Sequence, residues 1–169
     1  MTTFTVLSGS STLETEVRSS VHPIHARSTE LEGRIEGEFD GEGVPDLTSP
    51  HGGRIQVPVD SIASGSRLND MEMQRRAEVS KYPRIEFEVG DVTSSGNDGR
   101  YRGTIKVKAH GTTRSVEEEF TLRLDGKRLT LEGEHTFDMR DFGVQPPRIF
   151  TLKVEPEVRV KVRVVAEEA

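Results

Sequence analysis

Apolar and charged residues alternate along most of this chain. Ile85, Phe87 and Val89 alternate with Arg84, Glu86 and Glu88, the period of a strand with one dry face and one wet face. Lys81-Tyr82-Pro83 ends the element before it, because proline biases its predecessor away from helix and cannot donate a backbone hydrogen bond. Leu31, Ile35 and Phe39 share one parity with Gly33 and Gly37, opposite the charged Glu32, Arg34, Glu36 and Glu38, which predicts a strand that its glycines allow to bend. Further apolar rows follow at Ile55, Val57 and Val59 and at Ile105, Val107 and Ala109; from Val158 to Val164, valines alternate with Arg159, Lys161 and Arg163. Residues 40–53 form a turn-rich connection, and Asn97-Asp98-Gly99 predicts the turn that joins Arg84–Thr93 to the next strand.

The clearest hairpin surrounds Asp125-Gly126, the residue pair that suits the centre of a type I′ turn. Counting outward pairs Leu124 with Lys127, Leu122 with Leu129, Phe120 with Leu131, Glu118 with Gly133 and Val116 with His135, so apolar faces apolar near the turn. One helix is predicted inside residues 66–80: Asn69 with Glu72 resembles a capping box, and Leu68 and Met73 are spaced as a hydrophobic staple. The pattern predicts an all-β fold, an antiparallel up-and-down barrel of about eight strands with one short inserted helix, whose interior is filled by side chains or holds one small ligand.

Composition narrows the function. A length of 169 residues suits one domain, expected to span residues 1–169. Only 32% of residues are hydrophobic and 31% are charged, so the apolar side chains must be placed efficiently, as alternating strands do. The net charge of −6 argues against nucleic acid as a partner, which would require a clustered basic face. The absence of cysteine excludes disulfides, thiolate catalysis and sulfur-ligated zinc. The first twenty residues have neither a basic n-region nor an apolar h-region, and the longest apolar run is Val164-Val165-Ala166, so a cytoplasmic protein with no membrane span is expected.

Three spaced motifs carry a resemblance. Asp70 followed by Tyr82, Pro83, Ile85 and Phe87, then Gly103 with the Lys108–Val116 stretch KAHGTTRSV, then Asp141-Phe142-Gly143, resemble in order the marks of the YceI-like family over roughly residues 12–166. The resemblance implies a lipocalin-like barrel whose apolar bore holds a long-chain isoprenoid, quinone-like or fatty molecule. The bore lining it implies is Ile55, Val57 and Val59; Ile85, Phe87 and Val89; Ile105 and Val107; Phe120 and Leu122; Leu129, Leu131, His135 and Phe137; and Phe142. This chain departs from the family pattern at Asp70-Met71-Glu72-Met73, at Arg76-Ala77-Glu78-Val79 and at Met139, which implies a mouth of different polarity.

Other chemistry is sparse. His22 and His25 are weak metal candidates, since three residues apart on a strand they point to opposite faces unless Pro23 turns the chain. His135 shares the apolar face of its hairpin strand, where a hydrogen-bonded core histidine is the ordinary outcome and ligand contact the alternative. His110 reads as structural, His51 as a loop residue, and Arg140 beside Asp141 as a surface ion pair. No nucleophile elbow, zinc-protease helix, phosphate loop or dinucleotide fingerprint is present. The activity that the resemblance implies is binding of a long apolar small molecule or lipid, with no cofactor expected; assembly as a homodimer stays open. The alternative is a small cavity enzyme of the cyclase or isomerase kind, with His135 or a carboxylate as acid or base.

Overall fold

A computed structural model describes residues 1–96, 99–149 and 151–169. Its strands are β1 (Thr2–Val6), β2 (Thr12–Ser19), β3 (Ile24–Ser28), β4 (Glu32–Gly37), β5 (Gly52–Pro58), β6 (Arg84–Ser94), β7 (Arg100–Ala109), β8 (Thr112–Asp125), β9 (Arg128–Asp138), β10 (Arg148–Ile149) and β11 (Leu152–Glu168). Every pairing is antiparallel. Eight strands close a barrel in the order β1-β4-β5-β6-β7-β8-β9-β11, and the β11–β1 pairing completes the ring. The expected all-β barrel with one short helix is what the chain forms. The residues of the expected turn at Asn97 and Asp98 lie outside the described ones.

Closure is asymmetric. One edge of β11 pairs throughout with β9, while the other pairs first with β2 (Val154 to Arg163) and then with β1 (Ala166 to Glu168). β1 and β2 thus lie end to end as one interrupted strand; β4 and β3, which pair with them, form a second. Where the first is interrupted, Leu7 donates to the Val165 carbonyl at 2.8 Å. The buried Ser11 hydroxyl accepts from Val165 N at 2.9 Å and donates to Val165 O at 3.2 Å. A side chain here replaces part of a missing ladder rung, so no backbone group is stranded away from water.

Each strand sends alternate residues inward. Phe4, Leu13, Ile35, Ile55, Val57, Phe87, Val107, Leu129 and Val164 belong to one buried cluster, whereas the outward positions carry charge. Arg159–Glu134 at 2.7 Å, Arg163–Glu132 at 3.0 Å and Arg54–Glu88 at 3.2 Å link neighbouring strands on the exterior. Gly33 is required by close approach: at φ +147° a Cβ there would sit 1.9 Å from the Arg54 carbonyl oxygen.

Two local expectations are corrected. The β8–β9 turn is centred on Gly126-Lys127, with Asp125 opposite Arg128 and Leu122 opposite Leu131, because Gly126 at φ 63° takes the first central position. The pairing moves by two residues, which leaves every side chain on its expected face. The helix α1 (Arg67–Arg76) is capped by Ser66, whose hydroxyl accepts from Asn69 N at 3.3 Å, and not by Asn69. Leu68 forms no staple, being 50% exposed.

Two predictions follow from closure and the charged exterior. Ser11→Ala leaves Val165 N–H buried without its partner and should cost about 1–3 kcal/mol in denaturant unfolding; an unchanged midpoint would show that the interruption tolerates the loss. Glu134 and Asp138 are held below the usual carboxylate range by hydrogen bonds from Arg159 and Arg140 respectively. Their contribution is complete above the unfolded-state value of about 4 and is lost as pH falls through the lowered folded-state values. Unfolding midpoints should therefore be flat from pH 7 to about 5 and decline below about 4, modestly and less at high salt because the pairs are exposed.

Candidate apolar binding site

The barrel wall is incomplete at one end. β5 stops at Pro58 opposite Arg84 of β6, and beyond it β3 is met on that side, among the described residues, by the Arg27–Ala63 bridge and by Ser61, whose hydroxyl lies 2.6 Å from that of Ser28. Between Pro58 and Arg84 the chain makes a 3-10 turn (Val59–Ser61), then α1, then returns, with Val59 N donating to the Pro83 carbonyl at 2.9 Å. β3 and β6 are not joined by a ladder here, and α1 lies over the opening.

Beneath it is an apolar chamber of about 220 Å³. Leu13, Thr15 and Val17 of β2, Ile24 and Ala26 of β3, and Val158 and Val160 of β11 form its floor. Ile85 and Phe87 of β6, Val107 of β7 and Phe137 of β9 form its wall, while Met139 and Phe142, in the 3-10 turn after β9, close one side with Val144 and Pro147. Asn69, Asp70, Met73 and Gln74 of α1, with Ala77 at its C-cap, roof it. A second chamber of about 50 Å³ lies among Ile35, Phe39, Ile55, Val89, Phe120, Leu122 and Leu131, and the two have no lining residue in common.

Of the residues expected to line a bore, Val59, Ile85, Phe87, Val107, Phe137 and Phe142 border the larger chamber, and Ile55, Val89, Phe120, Leu122 and Leu131 the smaller. Val57 and Leu129 are fully buried and border neither; Ile105 is half-buried against the same core. His135 also borders neither, although it lies opposite Val160 on β11; its Nδ1 meets the Glu118 carboxylate at 2.6 Å and its ring packs edge-on to Phe137. The β2 and β3 contributors were overlooked because Thr15 and Ala26 dilute the alternation of a row whose other members are Leu13, Val17 and Ile24. His22 sits in the β2–β3 turn, its Nδ1 at 3.0 Å from the Pro23 carbonyl, and His25 lies opposite Glu16.

Polar contacts hold the mouth in shape. His110, in the β7–β8 turn at φ 52°, donates from Nδ1 to the Phe142 carbonyl at 2.9 Å, places Nε2 2.5 Å from the Glu78 carboxylate and packs edge-on to Tyr82. Gly111 beside it, at φ 73°, leaves room for the Tyr82 ring, which a Cβ would approach to 2.7 Å. The Asp70 carboxylate accepts from Ser64 N at 3.0 and 3.1 Å and fixes the entry to α1. Hydrogen bonds from Arg75 and Arg76 hold the Glu72 carboxyl below the usual range on the same helix. Arg140 pairs with Asp138 at 2.7 Å and not with Asp141, whose carbonyl accepts from Arg114 Nε. His51 is more than a loop residue: it accepts from Val92 N at 3.2 Å while its Nδ1 meets the Ser49 carbonyl at 2.8 Å.

A closed antiparallel barrel with an apolar chamber under an inserted helix defines a lipocalin-like architecture. The YceI-like domain family matches residues 4–166, and the chain belongs to that family. No curated protein matches the sequence. Among solved structures, Burkholderia cenocepacia BcnA superposes with a TM-score of 0.79 at 18% identity, covering 95% of this chain and 98% of that one. A polyisoprenoid binding domain from Saccharophagus degradans, implicated in plant cell wall breakdown, superposes at 0.76 with 13% identity and 98% coverage of both chains. The Campylobacter jejuni YCEI protein superposes at 0.62 with 14% identity, over 83% of this chain and 82% of that one.

His110 ties three elements together at the mouth. His110→Ala should cost about 1–3 kcal/mol of stability and raise amide exchange at Lys81 and Tyr82, which donate to Glu78 O. Exchange there no faster than in the parent would show that His110 does not hold the segment.

Proposed function

We propose that the protein binds an apolar molecule of the isoprenoid, quinone-like or fatty class in the chamber under α1, in a carrier or sequestration role. The observation that carries this reading is the chamber itself: about 220 Å³ walled mainly by aliphatic and aromatic side chains. Close-packed interiors do not leave such a space without a use, since unfilled volume in a core is destabilising. Membership of the YceI-like family supports the reading, as does the Saccharophagus degradans domain of the same fold, which is described as polyisoprenoid binding.

Size sharpens it. A dry cavity of about 150 Å³ encloses benzene, so this chamber suits a stretch of about nine or ten carbons. A longer chain would have its remainder outside the mouth or would require the two chambers to join. Val59, Ile85, Phe87, Val107, Phe137 and Phe142 are the proposed ligand contacts from the expected set; the floor residues Leu13, Val17, Ile24 and Val160 complete them.

The test pairs identification with mutation. Native mass spectrometry of freshly purified protein should show an adduct that organic extraction identifies as a lipid or isoprenoid. Val107→Phe should abolish uptake of a neutral fluorescent apolar probe while changing stability by less than about 1 kcal/mol, because a chamber accepts volume that a packed core accepts only at about 1–3 kcal/mol. Full destabilisation by Val107→Phe, together with no probe uptake by the parent, would refute ligand binding here.

A further inference from the structure

α1 is oriented against the usual rule for a helix on an apolar core. Its exposed side carries Arg67, Leu68, Met71 and Arg75, with Leu68 and Met71 50% and 56% exposed, while Asn69, Asp70 and Gln74 turn toward the chamber beside Met73 and Ala77. A helix that only covered an apolar chamber would present Leu68 and Met71 to it.

The inward polar groups differ in what they still have to offer. Both Asp70 oxygens accept from Ser64 N, and both His110 nitrogens are engaged, by Phe142 O and by Glu78. The side-chain amides of Asn69 and Gln74 and the Tyr82 hydroxyl have no hydrogen-bond partner among the described residues. Amides and a phenol can both donate and accept. Among the described residues that line the chamber none is lysine or arginine, and Asp70 is a carboxylate. A phosphate or diphosphate brought there would meet the Asp70 side chain and no cation of the lining itself; Lys81, outside the lining, stands with its Nζ 5.3 Å from the Tyr82 ring centroid.

Building on the proposed apolar chamber, we infer that the inner face of α1 is a head-group site that selects an apolar chain ending in an uncharged hydroxyl or carbonyl over the same chain ending in phosphate. The tail fills the space between the β2–β3–β11 floor and Phe87 and Val107. The head is held by Asn69, Gln74 and Tyr82 at the mouth. The arrangement admits a chain ending in a free alcohol, phenol or quinone and disfavours the same chain ending in phosphate.

The experiment displaces the neutral probe N-phenyl-1-naphthylamine from the full chain at pH 8 with decane, 1-decanol and decyl phosphate, a tail length chosen to fit the chamber. Decanol should bind at least about tenfold more tightly than decyl phosphate, the scale of one or two hydrogen bonds gained or left unmade. In the variant N69L/Q74L, decane should still displace the probe, which shows the chamber intact, while the ratio of decanol to decane affinity falls about fivefold to tenfold. Gln74→Leu alone should lower that ratio in the same direction and serves if the double variant does not fold. Decyl phosphate binding as tightly as decanol, or an unchanged decanol-to-decane ratio in the variants, overturns the head-group site and leaves the apolar chamber standing. Displacement by none of the three ligands overturns both.

Discussion

The barrel depends on both edges of β11 being paired. A sheet edge presents unsatisfied donors and acceptors, and closure is the arrangement that removes it. β11 meets β9 along one side, but its other side is too long for either β1 or β2 alone, so the chain uses both and must interrupt itself between them. Leu7 and the Ser11 hydroxyl supply the bonds that the interruption would leave unmade at Val165. The interruption thus sits in a buried place at little electrostatic penalty.

The same division has a consequence on the far side. Because β3 continues the line of β4, a complete wall would need β5 to run on beside β3; instead β5 ends at Pro58, where the chain leaves for α1. Elsewhere the inward rows interdigitate and leave Val57, Leu129 and Val164 with no exposed surface. Space survives where a strand is missing and a helix of larger radius stands in its place. The chamber and the lid therefore have one cause, and the two ends of the barrel differ in packing for the same reason.

Alternation made β4 to β9 and β11 legible, since each carries a row such as Ile85-Phe87-Val89 against charged neighbours. It failed for β1 to β3, whose inward or buried positions include Thr15, Ala26 and Ser28, and for the interruption between β1 and β2, where Ser11 is buried. Hydroxyls that replace ladder bonds look like surface residues in a hydropathy pattern. The β8–β9 hairpin was placed one residue early because Asp125-Gly126 fits one turn type, whereas positive φ at Gly126 followed by Lys127 fits another. The parity survived, and the moved register brings Glu118 level with His135, where sequence counting had placed Val116, which explains the 2.6 Å contact of His135 Nδ1 with the Glu118 carboxylate. Six residues of the chamber lining were readable, Val59, Ile85, Phe87, Val107, Phe137 and Phe142, and the β2–β3 floor was not, for the reason just given. The helix side was not, because polar residues that turn inward and apolar ones that turn outward invert the signal on which such reading relies.

The excursion from Val59 to Pro83 begins and ends on one rung, with Pro58 opposite Arg84 and Val59 bonded to Pro83. An insert whose two ends are already adjacent adds little loop-closure entropy when its length or contents change. The eight-stranded ring can therefore remain as it is while the roof diverges, and Asn69, Asp70, Met73, Gln74 and Ala77, which face the chamber, fall inside that insert. In this architecture the ring and the roof over its chamber are written in separate stretches of sequence, so the roof could be transplanted between relatives as a cassette.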